Sequence, residues 1–343
     1  MIRLISTALA LMMTVFYQPA LAANSFNILV YHHVSEETPA STSVSPARFR
    51  EHLQLIKDSG FEVVDLKQAI SAIQKGEELT DGSVVITFDD GFADIYTEGW
   101  PLLQEFNYPF TIFVATDAID DELRGMLSWD QIREMHAAGV TIANHTSDHD
   151  YLVRHRNSDQ SWLESIKANI INAQTRLENE LGEPIPKWLA YPYGEYNLKL
   201  QNLLASMGYL GFAQHSGGVW QGSDFLALPR FAAAGIYSNV NTLKTKLASK
   251  PMPVTAESVA GMVTTDPYPV MTATISDIND MSKVLNCFVD GSPAEADWLS
   301  DNQFQLQTTN ALSHGRHRYN CTSRSKSGNF YYWLSKPWLV LEN

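Results

Sequence analysis

The chain has 343 residues, room for one large domain and a smaller one. Its 45% hydrophobic and 18% charged residues are those of an ordinary globular protein, which excludes a fibrous or disordered chain. A formal net charge of −14 with no basic stripe to offset it excludes nucleic acid as the expected partner. A neutral polymer stays open, as does one that becomes cationic during processing.

In chain order, residues 1–22 read as an export signal. Arg3 supplies the positive start, Leu4 to Tyr17 form an apolar run, and Ala20-Leu21-Ala22 has the small-x-small pattern of a cleavage site. The run is short for a membrane span, and no later segment approaches the required length. Export to the periplasm or the exterior, without stable membrane insertion after cleavage, is the expectation.

From residue 23 to 250, strands alternate with helices. Phe26 to Tyr31 reads as a strand delivering His32 and His33. A helix follows, with Ser45 as N-cap, Pro46 in its first turn, and Phe49, Leu53 and Ile56 on its apolar face. Phe61 to Val64 is a strand and Leu66 to Gln74 a helix stopped at Gly76. Val84 to Phe88 is a buried strand ending in Asp89-Asp90-Gly91, followed by a helix through Leu102, Leu103 and Phe106. The strand Pro109 to Val114, the helix Trp129 to Ala138, and the strand Val140 to Ala143 come next, the last delivering Asn144-His145. A helix over Trp162 to Leu181 leads to the strand Trp188 to Tyr191. The helix Leu198 to Met207, the strand Tyr209 to Ala213, the extended stretch Phe225 to Phe231 and the helix Val240 to Ala248 complete this part. The alternation predicts a parallel α/β sheet, and the number of units predicts a closed or nearly closed barrel with its polar residues at the carboxyl ends of the strands.

Residues 251–269 are Pro-rich and read as a linker. In 270–343 the helical pattern vanishes. Short strands are expected over Val270 to Ile275, Val284 to Val289, Phe304 to Thr308, Arg316 to Thr322 and Asn329 to Leu334, making a small all-β domain of sandwich type. Cys287 and Cys321 are the only cysteines, and in an oxidising compartment they are expected to pair. His314, Arg316 and Arg318 share one face of their strand, expected to be solvated rather than to meet an anionic glycan, and the aromatics Trp298, Tyr331, Trp333 and Trp338 are expected in the domain core rather than as a sugar platform.

Three stretches carry chemistry. Two adjacent carboxylates, Asp89 and Asp90, repel each other at a strand end, which a metal or a shared proton relieves. His145 and His149 stand four apart, so a helical turn there puts both rings on one face. One Asp with two His forms a facial ligand set with open positions, for which a divalent ion, by default Zn2+, is suited. Tyr191-Pro192-Tyr193-Gly194 fixes a tight turn in which a backbone N–H can face the site.

Thr87-Phe-Asp-Asp-Gly91, His145-Thr-Ser-Asp-His149 and Tyr191-Pro-Tyr-Gly194, in that order, resemble the first three motifs of the polysaccharide deacetylases (NodB-homology domain, carbohydrate esterase family 4). The likeness covers Ile28 to about Lys250. It implies a distorted (β/α) barrel and is nearest to exported deacetylases of poly-β-1,6-N-acetylglucosamine, whose features Leu29-Val-Tyr-His32 and Tyr191-Pro-Tyr-Gly-Glu-Tyr196 share. By matching position, the resemblance implies Asp90, His145 and His149 as metal ligands and Asp89 as the base acting on the attacking water. It implies the N–H of Tyr193 as oxyanion donor.

Two departures stand out. No late Leu-x-His motif is present, so His32 of the early Tyr31-His32 pair is the expected general acid, with His215 second and His33 facing away. Ala190 stands where many relatives carry an arginine that pairs with the catalytic aspartate, and Arg230 is the proposed substitute. The expected activity is metal-dependent N-deacetylation of an acetylated polysaccharide or oligosaccharide. O-acetyl ester hydrolysis, as on xylan, and non-catalytic glycan binding are the alternatives.

Overall fold

The structure is a computed structural model that describes residues 25–154 and 160–342. The expected export signal at 1–22 lies outside the described residues. No helix among them is long and apolar enough to cross a membrane.

The strand Ser83–Phe88 is buried along its whole length and lies parallel to Ser25–Tyr31 on one side and Thr111–Val114 on the other. Val84, Ile86 and Phe88 pack under the helices, with Phe49, Leu53, Leu103 and Ile132, while Val85 on the opposite face joins Ile28, Phe113, Ala190 and Phe212 from neighbouring strands. The sheet continues in parallel through Thr141–Asn144, Trp188–Ala190 and Leu210–Phe212, each strand one step further round the curl. Its seam is closed by the segment after Phe225. Leu228 bridges to Phe212, and Phe231–Ala232 runs parallel to Leu29–Val30, so this segment touches both the last strand and the first. The result is a distorted (β/α) barrel.

The helices form where their caps dictate. Ser45 accepts from the N–H of Arg48 and Pro46 opens the helix Pro46–Asp58. Asp65 caps Leu66–Lys75, which ends at Gly76 in the left-handed conformation that glycine tolerates best. A reciprocal capping box between Ser128 and Gln131 starts Trp129–Ala137.

The carboxyl-terminal part is an all-β sandwich. A six-stranded sheet is centred on Met281–Val289, Gly315–Ser325 and Tyr331–Val340, and a three-stranded sheet is built from Val270–Thr274, Gln303–Gln307 and Ala296–Trp298. Met271, Phe304, Leu306, Tyr319 and the two cysteines fill the space between. Trp338 packs edge-on to Tyr319 and Trp298 to Phe304. The stretch expected as a linker, 251–269, is partly sheet. Lys250–Pro251 and Val263–Thr264 both pair in parallel with Tyr331–Val340, covering an edge that would otherwise present unpaired backbone.

Cys287 and Cys321 face each other directly in neighbouring antiparallel strands and form a disulfide. The bond spans 34 residues. Replacing both with serine is expected to lower the unfolding free energy by about 2–4 kcal/mol, read as a shifted urea midpoint that reductant reproduces in the unaltered protein.

The other face of the six-stranded sheet rests on the barrel. Trp333 packs against Phe231 of the seam segment, and Leu339 joins a buried cluster with Leu189, Tyr191 and Leu200. The face carrying Arg316 and Arg318, expected to be solvated, is therefore turned toward the barrel. Arg316 donates to the carbonyl of Tyr193, and Arg318 to the hydroxyl of Tyr237.

Candidate active site

The strand Ser83–Phe88 ends on Asp89 and Asp90, and the backbone turns sharply there, with φ of 75° at Asp90 and 93° at Gly91. The turn sends the two carboxylates in different directions. Asp89 is fully buried, and Arg230 grips it in a bidentate pair, Nη1 to Oδ1 at 2.6 Å and Nη2 to Oδ2 at 2.7 Å. Arg230 is equally buried and is fixed in turn through Nε, which donates to the carbonyl of Ala213 at 2.8 Å. Gln214 approaches Oδ2 of Asp89 from the side at 3.5 Å. Burial raises the Asp89 carboxyl, but the Arg230 guanidinium, with His145 and His32, outweighs it, so the group is held ionised below its ordinary range.

Asp90 faces the histidines. Its Oδ1 lies 3.1 Å from Nε2 of His145 and 3.1 Å from Nε2 of His149. Oδ1 of Asp90 and Nε2 of His145 are both buried and make no hydrogen bond. Burial raises the Asp90 carboxyl, yet the two rings pull it well below the usual range, while burial lowers His145 and the two aspartates raise it. Nδ1 of His145 sits 2.8 Å from the carbonyl of Ala190. A proton on Nδ1 satisfies that contact and leaves Nε2 as a bare lone pair aimed at Asp90, the arrangement of a metal-binding imidazole. Asp90, His145 and His149 thus offer three ligand atoms within 4.8 Å of one another, two of them orphaned, and this set fits a divalent ion.

No helical turn forms at 145–149. The side chain of Asn144 accepts from the N–H of Thr146, Thr146 Oγ1 accepts from the N–H of His149, and Thr146 and His149 both take positive φ (69° and 53°). These side-chain bonds outcompete a helix and still bring the rings together, with centroids 4.8 Å apart.

Tyr193 has φ 58° and ψ 6°, an uncommon conformation for a residue with a side chain. Its ring stacks on Tyr151 at 3.9 Å and meets His149 edge-on. Gly194 follows with φ 70°, and a Cβ there would stand 2.7 Å from Gln214, so only glycine fits.

Of the histidines expected near the site, His32 lines the same cleft as Asp90, His149 and Tyr193. Burial lowers it while Asp90 and Asp89 oppose the shift. His33 points elsewhere, with Nδ1 2.6 Å from Asp94 and its ring on Phe92. His215 also lines the cleft, but burial and the cations Lys336, Arg318 and Arg230 push it down to about 3. The cleft, about 510 Å3, is walled on its far side by Asp290, Arg316, His317 and Arg318 of the sandwich. Sequence reasoning missed Gln214, Tyr151 and this wall. No local pattern marks them, because each reaches the site only through tertiary packing.

A parallel α/β barrel thus carries an Asp-His-His set and an Arg-clamped aspartate at the carboxyl ends of its strands. Residues 76–212 match the family model described as polysaccharide deacetylase. It is 27% identical over 222 residues to the poly-beta-1,6-N-acetyl-D-glucosamine N-deacetylase of Staphylococcus aureus (strain MSSA476), covering 62% of this chain and 76% of that protein. With the protein of the same name from Escherichia coli (strain K12) it shares 26% identity over 249 residues, 62% of this chain but only 37% of the relative. Among solved structures, the Streptococcus pyogenes deacetylase PplD in complex with acetate has the same fold, with a TM-score of 0.58 at 24% identity, over 65% of this chain and 98% of that one.

Proposed function

We propose that this protein is an exported, metal-dependent hydrolase that removes N-acetyl groups from an N-acetylglucosamine polymer, of the poly-β-1,6-linked kind for which its relatives are named. The observation that carries the reading is the paired arrangement at the end of one strand. Asp90 joins two histidines whose Nε2 atoms each lie 3.1 Å from its Oδ1, while Asp89 is clamped apart from them by Arg230.

A divalent ion, Zn2+ by preference, held by Asp90, His145 and His149 would polarise the acetyl carbonyl and lower the pKa of water at the site. Asp89, kept anionic by Arg230, takes the proton from the attacking water. The N–H of Tyr193 stabilises the developing oxyanion. His32 returns a proton to the departing amine. Between the two candidate acids, the charges favour His32: Asp90 and Asp89 support its protonated form against burial, Arg230 and His145, whereas burial and the cations Lys336, Arg318 and Arg230 all act against His215.

Acetate release from β-1,6-linked N-acetylglucosamine oligomers tests the reading, with acetylated xylan as comparator. Chelation is expected to abolish release and added zinc to restore it. A His145→Ala variant is expected to bind less zinc and to show no restoration. Release from xylan alone, or release indifferent to chelator, would overturn the proposal.

A further inference from the structure

The turn that presents Tyr193 is not held by the barrel alone. A side-chain-bearing residue in the left-handed region costs about 1–3 kcal/mol and persists only where its surroundings enforce it. Here the ring of Tyr193 is pinned between Tyr151 and His149. Its carbonyl accepts from Nη1 of Arg316 at 2.7 Å, 123 positions further along the chain. The next residue but one, Glu195, is fully buried and is held by two nitrogens of Arg154, with Nε of Arg316 at 3.6 Å. Arg154 in turn lies over the ring of Tyr151 at 4.1 Å, which closes the circuit.

Arg316 sits at the start of the sandwich strand Gly315–Ser325 and is the link in this circuit that comes from outside the barrel. We propose that the sandwich is a working part of the active site, and that Arg316 is a positioning residue that holds the Tyr193 turn in its oxyanion-binding conformation. This rests on the deacetylase reading above. Two observations separate a positioning role from a merely structural one. The Arg316 side chain is 47% exposed, so truncating it opens no cavity. Glu195 keeps its bidentate partner Arg154 when Arg316 is gone, so no buried charge is left bare.

Arg316→Ala and Arg316→Lys in the full zinc-loaded protein test the idea, with Arg324→Ala as a control on the same strand, its guanidinium bonded to its own hairpin turn. Misplacing a group at the reacting centre costs about 10²-fold. We therefore expect kcat of Arg316→Ala to fall by about that factor with KM, zinc affinity and melting temperature unchanged, Arg316→Lys to recover part of it, and the control to match the unaltered protein. A readout independent of activity is amide hydrogen exchange over 191–196, which should quicken in Arg316→Ala while the strand Ser83–Phe88 stays protected. Unchanged kcat, a loss confined to KM, or unchanged exchange overturns the proposal. If the unaltered protein releases no acetate from any glycan, the deacetylase reading fails, and the exchange experiment alone still decides whether Arg316 braces the turn.

Discussion

Arg230→Gln is expected to be among the most damaging single changes in this protein, in stability and in turnover together. Both members of the Asp89–Arg230 pair are fully buried, so removing the cation leaves a carboxylate in the interior with only the distant amide of Gln214 to meet it. Breaking a buried pair from one side typically costs about 3–5 kcal/mol, which a denaturant titration will read. The pH profile should move as well, and the sign is fixed by the causes of the shift. Burial raises Asp89 and Arg230 is the largest influence lowering it. Without Arg230 the carboxyl binds its proton at higher pH, so the acidic limb of kcat/KM shifts upward. The pair's contribution to stability has the matching dependence. It is present above the ordinary carboxylate range and is lost as pH falls through the depressed value of the folded state. An acidic limb that stays in place in Arg230→Gln would remove Arg230 from the mechanism.

Asp89→Asn is the second large effect. Amide for carboxylate keeps the shape and removes the proposed base, and a positioned base contributes about 10²–10⁴-fold. Zinc content should be unaffected, because Asp90 and not Asp89 faces the histidines. This separation of turnover from metal content distinguishes Asp89→Asn from His145→Ala, where the two fall together. Arg230 is left buried without its counter-charge in the single variant, so the double variant Asp89→Asn/Arg230→Gln should be no less stable than either single one. Full acetate release by Asp89→Asn would contradict the assigned base.

Much of this was legible from residue order alone. The strand before Asp89, the caps at Ser45 and Asp65, and the strands of the sandwich follow from short-range patterns, and each motif falls at a strand end where it was expected. Arg230 was reachable by a different route: the vacancy at Ala190 implied a substitute charge, and the structure pairs Arg230 with Asp89. What could not be read was whatever depends on how separate pieces meet. Spacing of four at His145 and His149 would bring the rings together on a helix, but Asn144 and Thr146 offer the backbone nearer partners. Alternation placed Arg316 and Arg318 on one face correctly, yet nothing in a strand says whether its polar face looks at water or at another layer. Ser292–Ala294, an edge strand containing a proline, has too little β-propensity to be seen.

The seam of the barrel has a consequence for when this protein becomes active. Asp89 and its guanidinium partner lie 141 positions apart, and the partner rides on the segment that joins the last strand to the first. Contacts of such long sequence separation form late, because the loop between them must be closed first. A chain emerging amino-end first therefore presents Asp90, His145 and His149 before Arg230 reaches Asp89, and the turn at Tyr193 receives its last support later still, from residue 316. On the proposed mechanism, catalytic competence thus reports complete folding: a nascent, nicked or half-closed barrel keeps the motifs and is expected to do no chemistry.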